Sequence, residues 1–257
     1  MVYLDKGYIG CFELSDYEPG KRQLEEYIAQ LKSSGHKRII APIDGNTWHK
    51  YRLVSWDSGF RAFPLEPQNP IWYNDVYLDC GFTPLAKYFS VAFDINKTPA
   101  LSSPLFTKES IDKRVTYKKF EPSDLKTIYD ISLAGFDNNF LYDEITFDEF
   151  SKLYEPLLPM VDGDFVLIAY VDDMPCGFMF AIGIGDIFIL KSIAVLPEYR
   201  KFGIGNSLIN KVLLAAKEKG YKTAIGALII DGNISRHMLE KYGAKKIREY
   251  TLYQLEV

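Results

Sequence analysis

Three apolar runs follow one another between residues 164 and 195, and they limit the possible folds of this chain more than any other feature. Asp164 to Val171 and Gly177 to Ile184 are joined by Asp172-Asp173-Met174-Pro175, a turn by composition, and Asp186 to Val195 follows the turn Gly183-Ile184-Gly185. Runs of this length between turn residues predict a three-stranded antiparallel meander. Upstream, Arg114 to Phe120 alternates like a strand, and Pro122-Ser123-Asp124 opens a helix with Leu125, Ile128, Ile131 and Leu133 at near-helical spacing. Thr146 with Glu149 forms a capping box for a second helix carrying Phe150, Leu153, Tyr154 and Leu157. Downstream, the third run ends at Pro197, and a helix is predicted from about Asn206 to Lys219 with Ile204, Leu208, Val212 and Ala215 or Ala216 on its inner face. The order describes an α/β (α+β) chain whose central sheet is mixed, mostly antiparallel and flanked by helices.

The link between the third strand and its helix reads Pro197-Glu198-Tyr199-Arg200-Lys201-Phe202-Gly203-Ile204-Gly205. A strand that turns through two glycines into a helix presents backbone N–H groups at the helix N-terminus, where the macrodipole also favours negative charge. Diphosphate is the natural ligand of such a turn, and Arg200 and Lys201 add positive charge. The plain alternative is a glycine-loosened turn with two solvated cations. Two better-known phosphate loops fit less well: a dinucleotide fold requires three glycines and an acid on the next strand, and a Walker loop requires Gly-Lys-Ser/Thr.

Strand, two helices, a meander, Pro-x-x-Arg-x-x-Gly-x-Gly opening a helix, then another strand: this order resembles the GNAT superfamily of acyl-CoA-dependent N-acetyltransferases. The hairpin Val171-Asp172-Asp173-Met174-Pro175-Cys176-Gly177-Phe178 is similar to that family's second and third strands. Ser235-Arg236-His237-Met238-Leu239-Glu240-Lys241-Tyr242-Gly243-Ala244 is similar to its last helix. The resemblance covers roughly residues 114 to 257. It implies the GNAT fold and acetyl-CoA as cosubstrate, with the pantetheine on Ile193, Ala194 and Val195, and the pyrophosphate on Arg200, Lys201, Phe202, Gly203, Ile204, Gly205 and Asn206. Asn233 is a further implied contact. A backbone N–H of the same strand would polarise the thioester carbonyl. The chain departs from the family where Leu239 replaces the tyrosine that many members use to reprotonate coenzyme A. Tyr242 is the nearest phenol and the weak catalytic candidate, with a core tyrosine as its alternative reading; the catalytic residues are otherwise unassigned. Asp186, Asp231 or a water chain could act as base.

The chain has 257 residues, and its 30 basic against 34 acidic side chains give a net charge of −4. This leaves no global positive field to hold a polyanion, so nucleic acid is not an expected partner. The amino terminus lacks a basic stretch followed by an apolar run, and no eighteen apolar residues are consecutive. The expected compartment is therefore the cytoplasm, without a membrane. Cys11, Cys80 and Cys176 read as buried free thiols, and with His36, His49 and His237 they assemble no zinc spacing.

A composition shift near residues 94 to 113 divides the chain into 1–95, a connector 96–113 and a complete GNAT unit 114–257. The first part matches the second in order. Leu31-Lys32-Ser33-Ser34-Gly35-His36-Lys37, an apolar run and Asp44-Gly45-Asn46 parallel Ala216-Lys217-Glu218-Lys219-Gly220-Tyr221-Lys222, an apolar run and Asp231-Gly232-Asn233. Asp79-Cys80-Gly81 to Tyr88 parallels Lys241-Tyr242-Gly243 to Tyr250. The first half therefore reads as a truncated, degenerate GNAT unit, predicted as strand 7–13, helix 19–34, strand 38–43, an aromatic insertion, and then a helix and closing strands to Phe93. Where the anion loop should stand it has Glu13, Asp16 and Glu18, which would repel a diphosphate. The aromatic insertion from Thr47 to Tyr73 is read either as part of an acceptor pocket, since aromatic faces hold ammonium groups, or as a rigid packing loop.

The expected activity is transfer of an acetyl group from acetyl-CoA to a primary amine of a small molecule or peptide, with a second copy of the chain as a candidate partner. The alternatives are a non-catalytic coenzyme A-binding protein or sensor, and a GNAT-like transferase that uses another acyl donor.

Overall fold

The computed structural model describes residues 1–98, 115–233 and 235–257. Most of the expected connector, 99–113, lies outside them. The chain forms two compact units, one of Met1–Ser90, Leu228–Asn233 and Lys246–Val257, the other of Val91–Ala227 and Ile234–Lys245. This differs from the linear division expected, because two later stretches of the chain belong to the first unit.

The first unit contains β1 (Val2–Tyr3), β2 (Tyr8–Ile9), α1 (Tyr17–Ser33), β3 (Arg38–Ala41), β4 (Leu53–Asp57), α2 (Tyr73–Asp79), most of β5 (Thr83–Asp94) and nearly all of β11 (Lys245–Glu256). Its strand order is β1-β2-β3-β11-β5, with β4 also on β11. Only Tyr8 and Ile9 of the strand predicted over 7–13 are in sheet; the helix predicted over 19–34 starts two residues earlier. β4 was not anticipated.

β11 holds the unit together. It pairs antiparallel with β4 from Arg248 to Thr251, and with β3 from Tyr253 to Glu256. Around it Leu24, Ile28 and Leu31 of α1, Ile39 and Ala41 of β3, Val76 and Tyr77 of α2 and Tyr253 form one core. The insertion is fastened to β11 by a polar hub. The Glu66 carboxylate accepts from Arg248 Nη1, from the Phe63 N–H and, at 2.6 Å, from the Tyr250 hydroxyl, while Arg248 Nη2 donates to Asp57 at 2.8 Å. Residues 57–66 of the insertion thus pack on β11 within the first unit, and His49 is exposed.

The second unit contains β6 (Val115–Lys119), α3 (Leu125–Phe136), α4 (Phe147–Tyr154), β7 (Val166–Val171), β8 (Met174–Ile184), β9 (Ile187–Val195), α5 (Ile204–Glu218), the start of β10 (Thr223–Ile230) and α6 (Ser235–Glu240). Its strand order is β10-β9-β8-β7-β6, antiparallel except for β10 on β9. The sheet is mixed and flanked by helices, as the order of runs predicted. Both turns of the meander are tighter than their composition suggested. Val171 faces Met174 across Asp172-Asp173, both at positive φ, which is the backbone a two-residue hairpin requires. Ile184 faces Ile187 across Gly185-Asp186. Thr146 and Glu149 form the expected capping box.

α5 lays Ile204, Leu208, Val212 and Ala216 into the core, all fully buried. Its C-terminal end is clamped by Lys219, which pairs with Asp162 and Asp164 just before β7 and also complements the helix dipole.

Three helix ends in the chain share one cap. After α1, α2 and α5 the N–H of His36, Phe82 and Tyr221 returns to the carbonyl five residues back, across Gly35, Gly81 and Gly220, each with φ near +87°. Two of these glycines, Gly35 and Gly220, are positions matched in the sequence, and the other matched pairs, Gly45 with Gly232 and Gly81 with Gly243, also have positive φ throughout.

Two stability outcomes follow. Glu66→Gln removes the acid from a buried pair and leaves Arg248 with Asp57 alone. It is expected to cost about 3 kcal/mol in urea unfolding, and an unchanged midpoint would contradict the hub. Lys119 and Lys219 hold the Asp164 carboxyl down, from the ordinary 3.8 to about 2. A depressed acid stabilises the fold above its unfolded value and loses that contribution as pH falls toward its folded value. Asp164→Asn should therefore reduce the Tm at pH 6 but leave it little changed at pH 2, as followed by circular dichroism.

Candidate functional site

The second unit has one place where its sheet stops being a sheet. β9 and β10 run parallel and pair over four positions, Ile187 to Leu190 against Thr223 to Gly226, and the pairing ends there. β9 continues to Val195 with β8 on one edge only. Alternate N–H and C=O groups of residues 192–195 therefore face an edge with no strand partner among the described residues.

The pairing with β8 is interrupted at the same point. Leu190 faces Ala181 and Ser192 faces Phe180, so Lys191 is an extra residue in the strand, a β-bulge. Bulges re-aim the side chains that follow. Ala194 is buried against α3, where a Cβ added to Gly135 would come within 2.9 Å of it. Ile193 and Val195 face the other way, 3.7 and 3.8 Å from the Cβ position of Gly205 at the start of α5.

From Val195 the chain enters a 3-10 turn, Pro197–Phe202, and then Gly203 at φ +71°, which serves as the N-cap of α5 with no side-chain cap. An L-residue adopts that backbone only under strain. No heavy atom lies within 4 Å of where a Gly203 Cβ would stand, so the turn has open space in front of it. Ile204, Gly205 and Asn206 then begin the helix, with N–H groups that have no intrahelical acceptor by position. A bare helix start, an open cradle and an unpaired strand edge lie in sequence along one segment. They fit an extended ligand with amides at one end and an anion at the other.

The structure places the expected cofactor residues unequally. Ile193, Val195, Gly203, Ile204, Gly205 and Asn206 line the strand end and the helix start, and Phe202 ends the 3-10 turn. Lys201 is exposed. The Arg200 guanidinium is turned back onto the protein: Nε donates to the Val195 carbonyl at 3.1 Å and Nη2 to the Gly135 carbonyl at 3.4 Å, so it braces the turn. Lys241, not singled out from sequence, donates to the Asn206 side chain and is half-buried, with burial lowering its pKa. Asn233 belongs to the residues of the first unit, where its N–H donates to the Ile230 carbonyl at 3.1 Å.

Tyr242 is 2% exposed, stacks on Phe93 and donates to Asn210 of α5, and burial pushes its phenol well above the ordinary tyrosine range. Its surroundings are those of a core residue. Leu239 is buried. Asp186 is exposed in the turn before β9, five positions from the bulge, and Asp231 lies in the first unit. At the bulge itself, Lys191 Nζ lies over the Tyr154 and Phe180 rings at 4.8 and 5.8 Å and donates to the Tyr154 hydroxyl at 3.4 Å. A lysine alone within Ile187-Phe188-Ile189-Leu190-Lys191-Ser192-Ile193 was the available signal for this pair.

Cys176 is buried and Cys11 and Cys80 are half-buried. All three thiols are free, and burial pushes those of Cys80 and Cys176 up to about 11. Among the described residues no group of three or more His, Cys, Asp or Glu could hold a metal, and no helix is long and apolar enough to cross a membrane.

Residues 162–243, which contain the meander, the turn and α5, match the family model for the acetyltransferase (GNAT) domain. This segment is a GNAT domain. Over 271 aligned residues the chain is 23% identical to Protein YghO of Escherichia coli (strain K12), with 89% of this chain and 68% of that protein covered. Its fold is similar to a GCN5-related N-acetyltransferase from Sphaerobacter thermophilus, with a TM-score of 0.63 at 14% identity; the match covers 91% of this chain but only 66% of that one. It is also similar to a tandem GNAT protein from the clavulanic acid biosynthesis pathway, with a TM-score of 0.59 at 9% identity over 95% of this chain and 71% of that one. The chain has the GNAT fold.

Gly203→Leu is expected to cost about 1–2 kcal/mol in backbone strain and to retain native circular dichroism; if acetyl-CoA raises the Tm of the native chain, the variant should lose that rise. A persistent rise would show that the turn does not hold the cosubstrate.

Proposed function

We propose that the GNAT domain transfers an acetyl group from acetyl-CoA to a primary amine of a small molecule or peptide by direct attack on the thioester. The observation that carries this reading is the end of β9–β10 pairing at Leu190, with the Lys191 bulge there and the Gly203 turn following. Acetyl-CoA supplies an activated acyl carbonyl and a thiolate that leaves readily, its conjugate acid having a pKa near about 8.5. The rest is work for the protein.

Backbone groups of Ser192 to Val195 on the edge that β10 leaves open, apart from the Val195 carbonyl that Arg200 holds, would accept and donate to the pantetheine amides, and a strand N–H next to the bulge would polarise the carbonyl. Such a donor is fixed before reaction and needs no particular side chain. Gly203 lets the diphosphate approach the N–H groups of Ile204, Gly205 and Asn206, with Lys201 and Lys241 as the nearby cations. The half-buried Lys191–Tyr154 pair is the polar pair beside the bulge and would hold or pass a proton there. Asp137-Asn138-Asn139, exposed after α3, would contact the acceptor.

A second reading has its own support. With Leu239 in place of the family's tyrosine and Tyr242 sealed against Asn210, the chain could hold acetyl-CoA as a ligand without turnover. Another acyl donor is the third. Free-thiol release from acetyl-CoA across a panel of primary amines separates them. Release with at least one amine is expected; acetyl-CoA binding with no release from any amine would favour the binder. Tyr242→Phe should keep turnover within about threefold, whereas loss of a true general acid costs on the order of a hundredfold.

A further inference from the structure

Arg52, in the first unit, is a buried cation without an acid. It is 6% exposed, and among the described residues no carboxylate pairs with it. Its guanidinium lies 3.9 Å from the centre of the Tyr51 ring and 4.2 Å from that of Tyr88, with Tyr250 at 6.0 Å. Nε and Nη1 are both buried, with no hydrogen-bond partner among the described residues. The faces of Tyr51 and Tyr88 are therefore already occupied by the chain's own cation.

A comparison and the local backbone make this arrangement informative. Arg248, equally buried in the same unit, has its charge met by Glu66 and Asp57. Stacking on tyrosines offsets part of the desolvation of a guanidinium, but an unpaired buried charge is strongly destabilising. The backbone adds strain: Arg52 has φ +68°, held by its N–H on the Pro42 carbonyl at 2.9 Å and by the bridge between Tyr51 and Ile43. Non-glycine residues kept in that region cluster at functional sites, and a buried donor left unpaired calls for an explanation such as a bound group. Tyr51 is half-buried and Lys50 exposed, so the cage lies directly beneath the surface.

We propose that Arg52 in its tyrosine cage is a binding site for the carboxylate of a small molecule. Stacking leaves only the in-plane N–H groups for a ligand, and a planar, singly charged carboxylate matches both their geometry and their charge. A phosphate would bring a second negative charge with no second cation among the cage residues. The inference is independent of acyl transfer by the GNAT domain.

Thermal melting of the full chain in sodium acetate, succinate and benzoate, at matched ionic strength against chloride, tests it. At least one carboxylate is expected to raise the Tm by several degrees, while inorganic phosphate and the uncharged analogue benzamide do not. Arg52→Met should abolish the rise, and Arg52→Lys, which keeps the charge without the fork, should retain at most a small part of it. No rise with any of the three carboxylates, a rise of equal size with benzamide or phosphate, or an undiminished rise in Arg52→Met would overturn the proposal. If Arg52→Met does not fold, Arg52→Lys and the benzoate–benzamide comparison on the native chain decide.

Discussion

The second unit depends on where β9 stops being paired. Four parallel pairs hold β9 to β10, and beyond Leu190 the strand has hydrogen-bonding groups on an edge that no strand among the described residues takes up. Such groups are costly when buried and dry. The bulge at Lys191 falls at the same point: it inserts one residue opposite β8 and turns the following side chains, so that Ala194 packs on α3 while Ile193 and Val195 meet the start of α5. The turn after Val195 continues the same design, since Gly203 leaves open space before a helix start with no cap of its own. The candidate site and the interruption of the sheet are the same feature.

The first unit shares some local backbone geometry with the second. Its α1 ends in the same kind of cap as α5, and Gly45 and Gly81 have the left-handed backbone of their sequence counterparts Gly232 and Gly243. Its helix start is different. Asp16 is the N-cap of α1 and Glu18 lies in the first turn, so the dipole there is already answered by the chain's own carboxylates. The two units thus share left-handed glycines and one kind of helix cap but differ in charge at the helix start.

Much of this was legible in the residues, for identifiable reasons. The meander shows as apolar runs between turn residues, the α4 start as Thr146 with Glu149, and α5 as the spacing of Ile204, Leu208 and Val212, because each is a local pattern. What was not legible is non-local. β4 is a short strand whose partner, β11, lies some two hundred residues away. The Glu66 hub joins residues 57, 63, 66, 248 and 250, and nothing in Ala62-Phe63-Pro64-Leu65-Glu66 announces a buried acid. Arg200 reads as an anion ligand by composition, and only coordinates show its guanidinium turned onto Val195 and Gly135. The Lys191 bulge is a register shift, which strand patterning does not reveal.

Hydrogen–deuterium exchange of the full chain with and without acetyl-CoA tests the central claim most directly. If the cosubstrate lies along the free edge of β9 and its diphosphate on the start of α5, amides of residues 192–195 and 203–206 should gain protection together, while α1 and its acidic N-terminus remain unchanged. Binding of acetyl-CoA with no added protection in those two stretches would contradict the account.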